Sequence, residues 1–490
     1  MTRVALLWHF HQPDYRDPDT GVPVMPWVRL HALRGYRDLL VEAVEHDVAM
    51  TINVVPSLLD QLLHYAEGGS DAHLDWTRRE AASLDPTEAE QVVRFLPTGN
   101  HTMHETWPAY SRLKRRLARG APFAVQDLLD VQVWGTLAWF GATARRDFGV
   151  LRELAEKGER FSEADKSAML GVQETIVRSL PGRLAEVVAA KGPALCTSPY
   201  FHPILPLLVD VRHAKRSLPH LPDDLRFAYP QDARRQLASA RERVAAITGT
   251  PPVGLWPSEG SVSPEVVEIV GDVGFRWLVT DQGVLERSER RASVAAHGGW
   301  DVGSGVTGFF RDTHLSDGIG FRYAHMDAED AVAQFVGGVR AKGDGVVTVA
   351  LDGENPWETY RDAGEAFRLR LYRAMQDELP GITFDEAAEL PVVGGVSHLH
   401  SGSWIGANFA IWIGHPTDRA AFGELAKARD AAEAAGASRP RRIASPTQPL
   451  PSAFRGLGEA GCSPHSSALS FCAEGIGEES SLTLSFLGLL

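Results

Sequence analysis

Cysteine is scarce in this chain of 490 residues, which contains only Cys196, Cys462 and Cys472. Three cysteines are too few for a disulfide framework, and no Cys-x-x-Cys pair indicates a structural zinc site. Long apolar runs are missing as well, since no segment approaches the length of about 18 residues that spans a membrane. The apolar stretch at residues 4–8 is too short for a signal peptide. We therefore expect a cytoplasmic protein with no membrane partner.

Basic residues are fewer than acidic ones, which gives a formal net charge of −14. A surplus of acidic groups disfavours nonspecific binding to nucleic acids and to anionic membranes. The length allows a large core and exceeds that of a usual single domain. Charge and length therefore fit an enzyme with a neutral substrate. The 12 tryptophans are many, and their rings suit flat partners such as sugars.

What the chain does contain is a series of short apolar runs rich in Val, Leu and Phe, each followed by polar groups. The seven runs lie at residues 4–10, 48–55, 194–198, 253–256, 275–280, 306–310 and 346–351. Parallel strands that alternate with helices place their carboxyl ends at one face, where the reactive groups of such folds lie. The pattern therefore predicts an α/β fold, an incomplete seven-stranded (β/α) barrel with its site at that face.

Strand signals nearly vanish between residues 58 and 190, where apolar residues recur at helical spacing. We interpret this region as a helical insertion in a barrel domain of residues 1–360. Residues 361–437 are predicted to form a C-terminal helical domain, which carries an aromatic loop around Trp404. Residues 438–490 are rich in Ser, Pro and Gly and have little apolar periodicity, so we expect an atypical tail of low order.

One carboxylate stands between the fourth predicted strand and the helix that follows it. The strand ends near Trp256, and Ser263-Pro264-Glu265 has the cap, the first-position proline and the first-turn acid of a helix start. Glu259 lies between them, on a loop of the kind that carries reactive groups in parallel α/β folds. It is a candidate nucleophile or acid, although a single loop glutamate is more often only solvated.

Further polar groups follow other strands and would share a cleft with Glu259. They are His11, Asn53, His202, Asp312, His314 and Asp352. Two carboxylates that face one cleft can cleave a glycosidic bond, one as the nucleophile and the other as the proton donor. Trp256, Trp357 and Trp404 could stack on sugar rings, although a single tryptophan is more often part of a core.

His9 and His11 allow a second interpretation, because alternate residues of a strand point to one side. Together with nearby acids they could hold zinc for a hydrolase of the deacetylase or mannosidase type. The alternative is that His9 faces the exterior of the sheet and that His11 hydrogen-bonds the substrate. No second closely spaced His-rich motif is present, which disfavours the metal site.

Five segments form an ordered set that runs from about residue 4 to residue 435. They are Trp8-His-Phe-His-Gln-Pro13, Thr197-Ser-Pro-Tyr-Phe-His-Pro203, Gly254-Leu-Trp-Pro-Ser-Glu259, Leu351-Asp-Gly-Glu-Asn-Pro-Trp357 and His400-Ser-Gly-Ser-Trp404-Ile. Together they resemble the five sequence regions of glycoside hydrolase family 57, and most closely those of its α-amylase and amylopullulanase group. This resemblance implies a seven-stranded (β/α) barrel followed by a helical domain, and a chemistry without a metal or other cofactor.

The resemblance also implies roles for individual residues. The catalytic nucleophile of the family falls on Glu259 and its general acid/base on Asp352. The residues expected to bind substrate are His11, His202, Trp256, Asp312, His314, Trp357 and Trp404, of which Asp312 and His314 lie in a stretch common in this group.

Such enzymes act on α-glucans with retention of configuration, so a glucan polysaccharide or oligosaccharide is the expected partner. We expect hydrolysis of α-1,4 bonds, with α-1,6 bonds as a further target. Transfer of the glucan by a 4-α-glucanotransferase or branching enzyme is the close alternative, because both reactions share the glycosyl-enzyme intermediate. A catalytically impaired glucan-binding protein is the third candidate, because the tail departs from the family pattern. No oligomeric state is predicted.

A retaining mechanism sets the expected geometry of the two acids. The carboxyl groups of Glu259 and Asp352 should lie about 5–5.5 Å apart. Asp352 should hold the proton, because burial and the charge of Glu259 would raise its pKa, while Glu259 stays ionised. Asp312 is a rival for the acid, and only the resemblance prefers Asp352. The residues expected to converge on one cleft are His11, His202, Trp256 and Trp404.

Overall fold

The computed structural model describes residues 1–120, 122–288 and 297–434. The tail predicted at residues 438–490 lies outside the described residues, so its low order stays a prediction. Within those ranges one nine-stranded sheet runs through the molecule. No helix in the same ranges is both long and apolar enough to cross a membrane.

The sheet is almost entirely parallel. Its strands are β1 (Thr2–Phe10), β2 (Thr51–Val54), β3 (Ala194–Thr197), β4 (Gly254–Leu255), β5 (Trp277–Asp281), β6 (Trp300–Asp301), β7 (Thr307–Arg311), β8 (Gly345–Asp352) and β9 (Gly394–Gly395). Their spatial order is β8-β1-β2-β3-β4-β5-β7-β6-β9. Only the pair of β6 and β7 is antiparallel.

Seven of these strands form the barrel wall, from β8 through β1 to β7. The backbone N–H of Asp312, just after β7, donates to the carbonyl of Thr348 in β8 at 2.8 Å, which brings the two ends of the parallel series together. The seven predicted apolar runs correspond to β1 to β5, β7 and β8. The predicted fold class is therefore confirmed. The short strands β6 and β9 are edge additions that the apolar pattern did not indicate.

Alternation along β1 separates the barrel interior from the surrounding helices. Trp8 packs in the large core between sheet and helices, whereas Ala5 and Leu7 belong to a smaller core inside the barrel. His9 follows the same period of two and lies inside, where its ring centroid is 5.7 Å from that of Trp256. The alternative in which His9 faces the exterior of the sheet is therefore wrong.

Helices α1 to α11 lie between β1 and β3. They are α1 (Trp27–His31), α2 (Arg37–Glu45), α3 (Pro56–Ala66), α4 (Ala72–Arg78), α5 (Pro86–Phe95), α6 (His101–Thr106), α7 (Pro108–Ala118), α8 (Val125–Leu137), α9 (Ala142–Asp147), α10 (Gly149–Lys157) and α11 (Glu163–Ala189). The longest, α11, starts after Ser162, whose hydroxyl accepts the N–H of Asp165. It packs against α2 and α3, which joins the helices of this long connection to the outer layer of the barrel.

The remaining helices follow β3. They are α12 (Leu205–Val209), α13 (Pro230–Thr248), α14 (Pro264–Val273), α15 (Gln282–Ser288), α16 (Thr313–Asp317), α17 (Ala328–Arg340), α18 (Pro356–Thr359), α19 (Glu365–Asp377), α20 (Phe384–Ala387), α21 (Ala410–Ile413) and α22 (Pro416–Ala434). The hydroxyl of Ser263 accepts the N–H of Val266 at 3.3 Å. The helix start predicted there from the cap and the proline is confirmed.

The elements that follow β8 remain packed on the barrel. Arg368 of α19 forms a buried ion pair with Glu42 of α2 at 2.7 Å. The ring of Phe384 in α20 stacks on that of Trp277 at the amino end of β5, with the centroids 5.2 Å apart, and so helps to fill the bottom of the barrel. These contacts join residues that follow position 361 to the barrel, and the predicted division into a barrel domain and a C-terminal helical domain stays a prediction.

Candidate active site

The backbone at Glu259 is held in an uncommon conformation. Its φ of 56° and ψ of 28° lie in the left-handed region, which costs a residue with a side chain about 1–2 kcal/mol. Such strain persists where the surrounding structure imposes it, and it is frequent at functional sites. Here the backbone N–H of Trp404 donates to the carbonyl of Glu259 at 3.0 Å, and Gly402 bridges to Val262 just beyond. The aromatic loop thus docks directly on the loop after β4.

The side chain of Glu259 is fixed by the same tryptophan. The indole Nε1–H of Trp404 donates to Oε2 of Glu259 at 2.8 Å, although 145 residues separate the two along the chain. Burial raises the pKa of Glu259 to about 7, and the charge of Asp352 adds to the rise, whereas the indole hydrogen bond opposes it.

Asp352 is the last residue of β8 and supplies the second carboxyl group. Its Oδ2 accepts the Nδ2–H of Asn355 at 3.0 Å. Burial raises the pKa of Asp352 to about 6, against the opposing effects of Asn355 and Arg311. Because the charge of Asp352 acts on Glu259, the two groups are close enough to interact. The structure thus presents an interacting pair of half-buried acids at the carboxyl face of the barrel.

The two carboxyl groups interact, and the pKa values of both are raised. Burial is the main cause for each, whereas Asn355 and Arg311 favour the ionised form of Asp352 and Trp404 favours the ionised form of Glu259. Two interacting carboxyl groups do not both ionise readily, so the pair titrates as a unit. That Asp352 is the acid that holds the proton stays a prediction.

Three histidine rings stack on one another beside Asp352. The ring centroids of His11 and His202 are 3.9 Å apart, and those of His9 and His202 are 4.9 Å apart. His9 and Asp352 are neighbours in the register of β1 and β8, which places the stack next to the acids. Burial lowers the pKa of His9 to about 4 and holds the pKa values of His11 and His202 well below the ordinary value. The three rings are therefore neutral near pH 7.

The hydrogen bonds of the stack leave nitrogen atoms available to a ligand. The Nδ1 of His9 lies 2.6 Å from Oδ1 of Asn53, so this nitrogen carries the proton and Nε2 carries a lone pair. The Nε2 atoms of His9 and His202 are buried without a hydrogen-bond partner. Buried polar atoms are normally paired, so these two are suited to the hydroxyl groups of a bound molecule.

The same stack is the place where a metal ion would be sought. The candidate ligand atoms of His9, His11 and His202 all lie within 4.8 Å of one another. An imidazole binds a metal through a lone pair in the plane of its ring, but the three planes are tilted by only 17° to 25°. Rings that are stacked with planes so nearly parallel cannot all direct an in-plane lone pair at the same nearby point. As oriented, the stack does not fit a metal ion.

Two tryptophans complete the cleft. The rings of Trp256 and Trp404 meet edge to face, with centroids 5.3 Å apart. Trp256 is fully buried and supports both Trp404 and His9 from the barrel interior, whereas Trp404 is half-buried. Of the two, only Trp404 offers surface to a sugar ring. The predicted convergence is confirmed for all four residues, which are His11, His202, Trp256 and Trp404.

Trp357 lies elsewhere, which corrects its expected place in the substrate cleft. Its side chain is fully buried, its Nε1–H donates to the carbonyl of Gly353 at 2.8 Å, and its ring packs against Trp8 at 5.3 Å. The short helix α18 turns the chain outward after β8, so Trp357 joins the core between the sheet and its helices. It supports the wall behind the site and has no surface left for a substrate.

Asp312 and His314 also point away from the two acids. Asp312 accepts the N–H of Leu315 at 2.9 Å as the cap of α16 and pairs with Lys342 at 2.5 Å. His314 is exposed and lies against Arg322. These residues line a separate, open cavity of about 520 Å³. The structure therefore does not place either of them beside Glu259, so Asp312 is no longer a candidate for the general acid.

Glu354 is a site residue that the sequence reasoning missed, although it lies inside the fourth matched segment. Its Oε1 accepts the Nε2–H of Gln12 at 3.1 Å, and its side chain is only 3% exposed. Burial, together with the charge of Asp352, raises its pKa well above the ordinary value, although Tyr36 also hydrogen-bonds to it. This environment favours the neutral form of Glu354, which ties the loop after β1 to the loop after β8. Its position two residues after Asp352 was the available signal.

A (β/α) barrel with two interacting acids and an aromatic ring at its carboxyl face is an arrangement suited to a glycoside hydrolase. The sequence profile of glycosyl hydrolase family 57 matches residues 5–384, which is most of the chain. The protein belongs to this family.

Solved structures with the same fold include the family 57 branching enzymes of the archaea Pyrococcus horikoshii and Thermococcus kodakaraensis. Each is 13% identical to this chain, with a TM-score of 0.54, and the match covers 88% of this chain and 78% of theirs. An α-amylase of Thermotoga maritima is also 13% identical, with a TM-score of 0.52 and coverage of 90% and 83%. At such identity these likenesses show the fold alone. Among curated proteins, none matches the chain in sequence.

Proposed function

We propose that this protein cleaves α-glucosidic bonds of α-glucans with retention of configuration, through a glycosyl-enzyme intermediate. The observation that carries the proposal is the pair of half-buried, interacting acids, Glu259 and Asp352, beside the half-buried ring of Trp404. Retaining glycosidases use such a pair at a separation of about 5–5.5 Å, one acid as nucleophile and the other as proton donor. Membership of family 57 supports the same chemistry.

Each acid has one role in the proposed reaction. In the first step the carboxylate of Glu259 forms a bond to the anomeric carbon, the glycosidic bond breaks, and the proton of Asp352 passes to the leaving oxygen. In the second step ionised Asp352 takes a proton from water, whose oxygen attacks the same carbon and releases Glu259. The indole hydrogen bond of Trp404 orients the attacking carboxylate throughout.

The first step requires one particular distribution of protons in the pair, whose pKa values are both raised. The productive form has the proton on Asp352 and a charge on Glu259. Positive charge develops at the anomeric carbon in the transition state and stabilises an ionised Glu259 beside it. Bound substrate therefore favours the transfer of the proton to Asp352.

The molecule that attacks the glycosyl-enzyme intermediate decides between the candidate activities. Attack by water gives hydrolysis, for which we propose α-1,4 bonds first and α-1,6 bonds second, as in an α-amylase or amylopullulanase. Attack by a glucan hydroxyl is the reaction of a 4-α-glucanotransferase or a branching enzyme. This is the second candidate activity, and the likeness in fold to two branching enzymes supports it. A glucan-binding protein without turnover is the third. Cytoplasmic location stays a prediction.

The deciding experiment measures products and the intermediate separately. Purified protein is incubated with amylose, pullulan and maltoheptaose, and the products are separated by chromatography, with Glu259→Gln as the inactive control. Shorter linear products indicate hydrolysis, longer ones disproportionation, and new α-1,6 branches branching. A fluorinated, activated glucoside should add one sugar mass to Glu259 in the wild type and none in the variant. Labelling at another residue would contradict the assignment of the nucleophile.

A further inference from the structure

Arg311, the last residue of β7, is a buried cation that the proposed reaction does not yet use. Its side chain lies inside the barrel and is about 5% exposed. The guanidinium carbon is 5.0 Å from the ring centroid of Trp404. Asp317 forms an ion pair with it, and Asp281 lies 3.7 Å from its Nε. This Nε is buried without a hydrogen-bond partner.

The position of Arg311 connects it to both acids by different routes. One route is a contact chain, because the ring that Arg311 covers belongs to the indole that donates to Glu259 at 2.8 Å. The other route is electrostatic, because the positive charge favours the ionised form of Asp352. A single side chain thus acts on the orientation of one acid and on the charge of the other.

We propose that Arg311 is a positioning residue that locks the indole of Trp404 against Glu259. This inference rests on the proposed function, in which Glu259 is the nucleophile. Planar stacking is a property of the guanidinium and not of an ammonium group. A lysine in this place would therefore keep the charge but lose the stack, which separates the two effects.

The charged groups around this network define what the test must control. Asp352 is faced by Asn355, Glu354, Arg311 and, from β1, the neutral His9. Glu259 is faced by Trp404 and Asp352, and Arg311 by Asp281 and Asp317. The variants Arg311→Gln and Arg311→Lys change only one member of this set. Arg322→Gln is the matched control, because Arg322 lies on the exposed His314 and has no contact with the network.

The first readout is the indole Nε1–H resonance of Trp404 in protein labelled with ¹⁵N at tryptophan, assigned by its loss in Trp404→Phe. Because this N–H donates to Glu259, its pH titration reports the proton on that acid without any turnover. In Arg311→Gln the resonance should shift, because the indole is no longer held against Glu259, and its titration midpoint should change, because a positive charge near the two acids is lost. In Arg311→Lys the resonance should shift while the midpoint stays. The remaining indole signals report that each variant is folded.

The second readout is kinetic and applies if the wild type turns over glucan. Arg311→Gln should lower kcat about 100-fold, the size of effect that a misplaced reacting group produces, with a much smaller change in KM. A Trp404 resonance and midpoint in Arg311→Gln equal to those of the wild type would overturn the proposal, as would the same changes in Arg322→Gln. Absence of glucan turnover by the wild type would refute the proposed function instead, and the resonance would still decide the role of Arg311.

Discussion

The inner and outer faces of the barrel wall give opposite roles to residues that look alike in the sequence. Asp352 closes β8 and Asp312 follows directly on β7, so both are strand-end aspartates. Asp352 points inward and interacts with Glu259, whereas Asp312 points outward, caps a helix and pairs with Lys342. A carboxylate at a strand end is thus not sufficient for a role in the site.

A shift of one residue explains the difference between the two faces. In β7 the inward positions include Phe309 and Arg311, so the next residue, Asp312, points outward. In β8 the inward positions include Ala350 and Asp352. Because side chains alternate along a strand, a single step exchanges the cleft for the outer layer.

The tryptophans show the same contrast. Trp404 stands over the cleft and donates to Glu259, while Trp357 lies behind the wall and donates to the carbonyl of Gly353. Both indoles donate one hydrogen bond of 2.8 Å, so the two residues differ in the group that accepts it. One orients an acid, and the other stabilises a turn in the core.

The largest expected effect separates the two aspartates. Asp352→Asn should lower kcat on amylose about 1,000-fold, the range of a lost general acid. On an activated aryl glucoside, whose leaving group needs no proton, the glycosyl-enzyme should still form, visible as a burst of the aryl group. Asp312→Asn should keep both activities. Its free energy of unfolding should fall by only about 1 kcal/mol, since the ion pair to Lys342 is lost but asparagine still caps α16. An acid-type loss in Asp312→Asn alone would reverse our assignment.

The next effect separates the two tryptophans. Trp404→Phe should lower kcat by about 10- to 100-fold, since a hydrogen bond to a charged group contributes about 1.5–3 kcal/mol, and leave stability nearly unchanged. Trp357→Phe should keep kcat per folded molecule and reduce the free energy of unfolding by about 1–3 kcal/mol, through a cavity and the unpaired carbonyl of Gly353. Kinetics and urea unfolding of both variants check this. Equal loss of activity in the two would remove the contrast.

A third prediction concerns stability and pH, because the inward acids have raised pKa values. The stabilisation by the protonated Glu259 is fully present below its ordinary pKa of 4.5 and is lost as the pH rises through about 7. In the same way, the stabilisation by the protonated Asp352 is fully present below its ordinary pKa of 3.8 and is lost as the pH rises through about 6. Between pH 5 and 8 the wild type should therefore lose about 2–3 kcal/mol of unfolding free energy relative to Glu259→Gln, which stays neutral. Parallel pH curves from urea unfolding of the two proteins would contradict the raised pKa.

The smallest expected effect tests the neutral acid Glu354. Glu354→Gln keeps the shape and the neutrality of the side chain, so we expect kcat to change by only a few-fold. Glu354→Leu removes the acceptor of Gln12 and should reduce the free energy of unfolding by about 1–3 kcal/mol, the penalty of unpaired buried groups. Calorimetry and kcat measurements compare the two. A severe loss of activity in the glutamine variant alone would mean that Glu354 acts as a charge.

Much of the fold could be predicted because its signals are local. The seven barrel strands follow from short apolar runs, and the start of α14 follows from the Ser263-Pro264 pair. The positions of Glu259 and Asp352 followed from ordered motifs, although their roles remain a proposal. The side on which His9 lies was not predictable, since alternation fixes two opposite faces without saying which one faces the barrel interior.

The sequence by itself determined which residues end the strands, which segments are helical, and which two acids accompany the family motifs. Only the tertiary structure decided which strand-end residues face inward, because that choice depends on how the sheet closes. It also decided that Trp404 would reach Glu259 across 145 residues and that Trp357 would not face the cleft. The raised pKa values of both acids were set there as well, because burial and the approach of the two acids arise only when distant segments pack together.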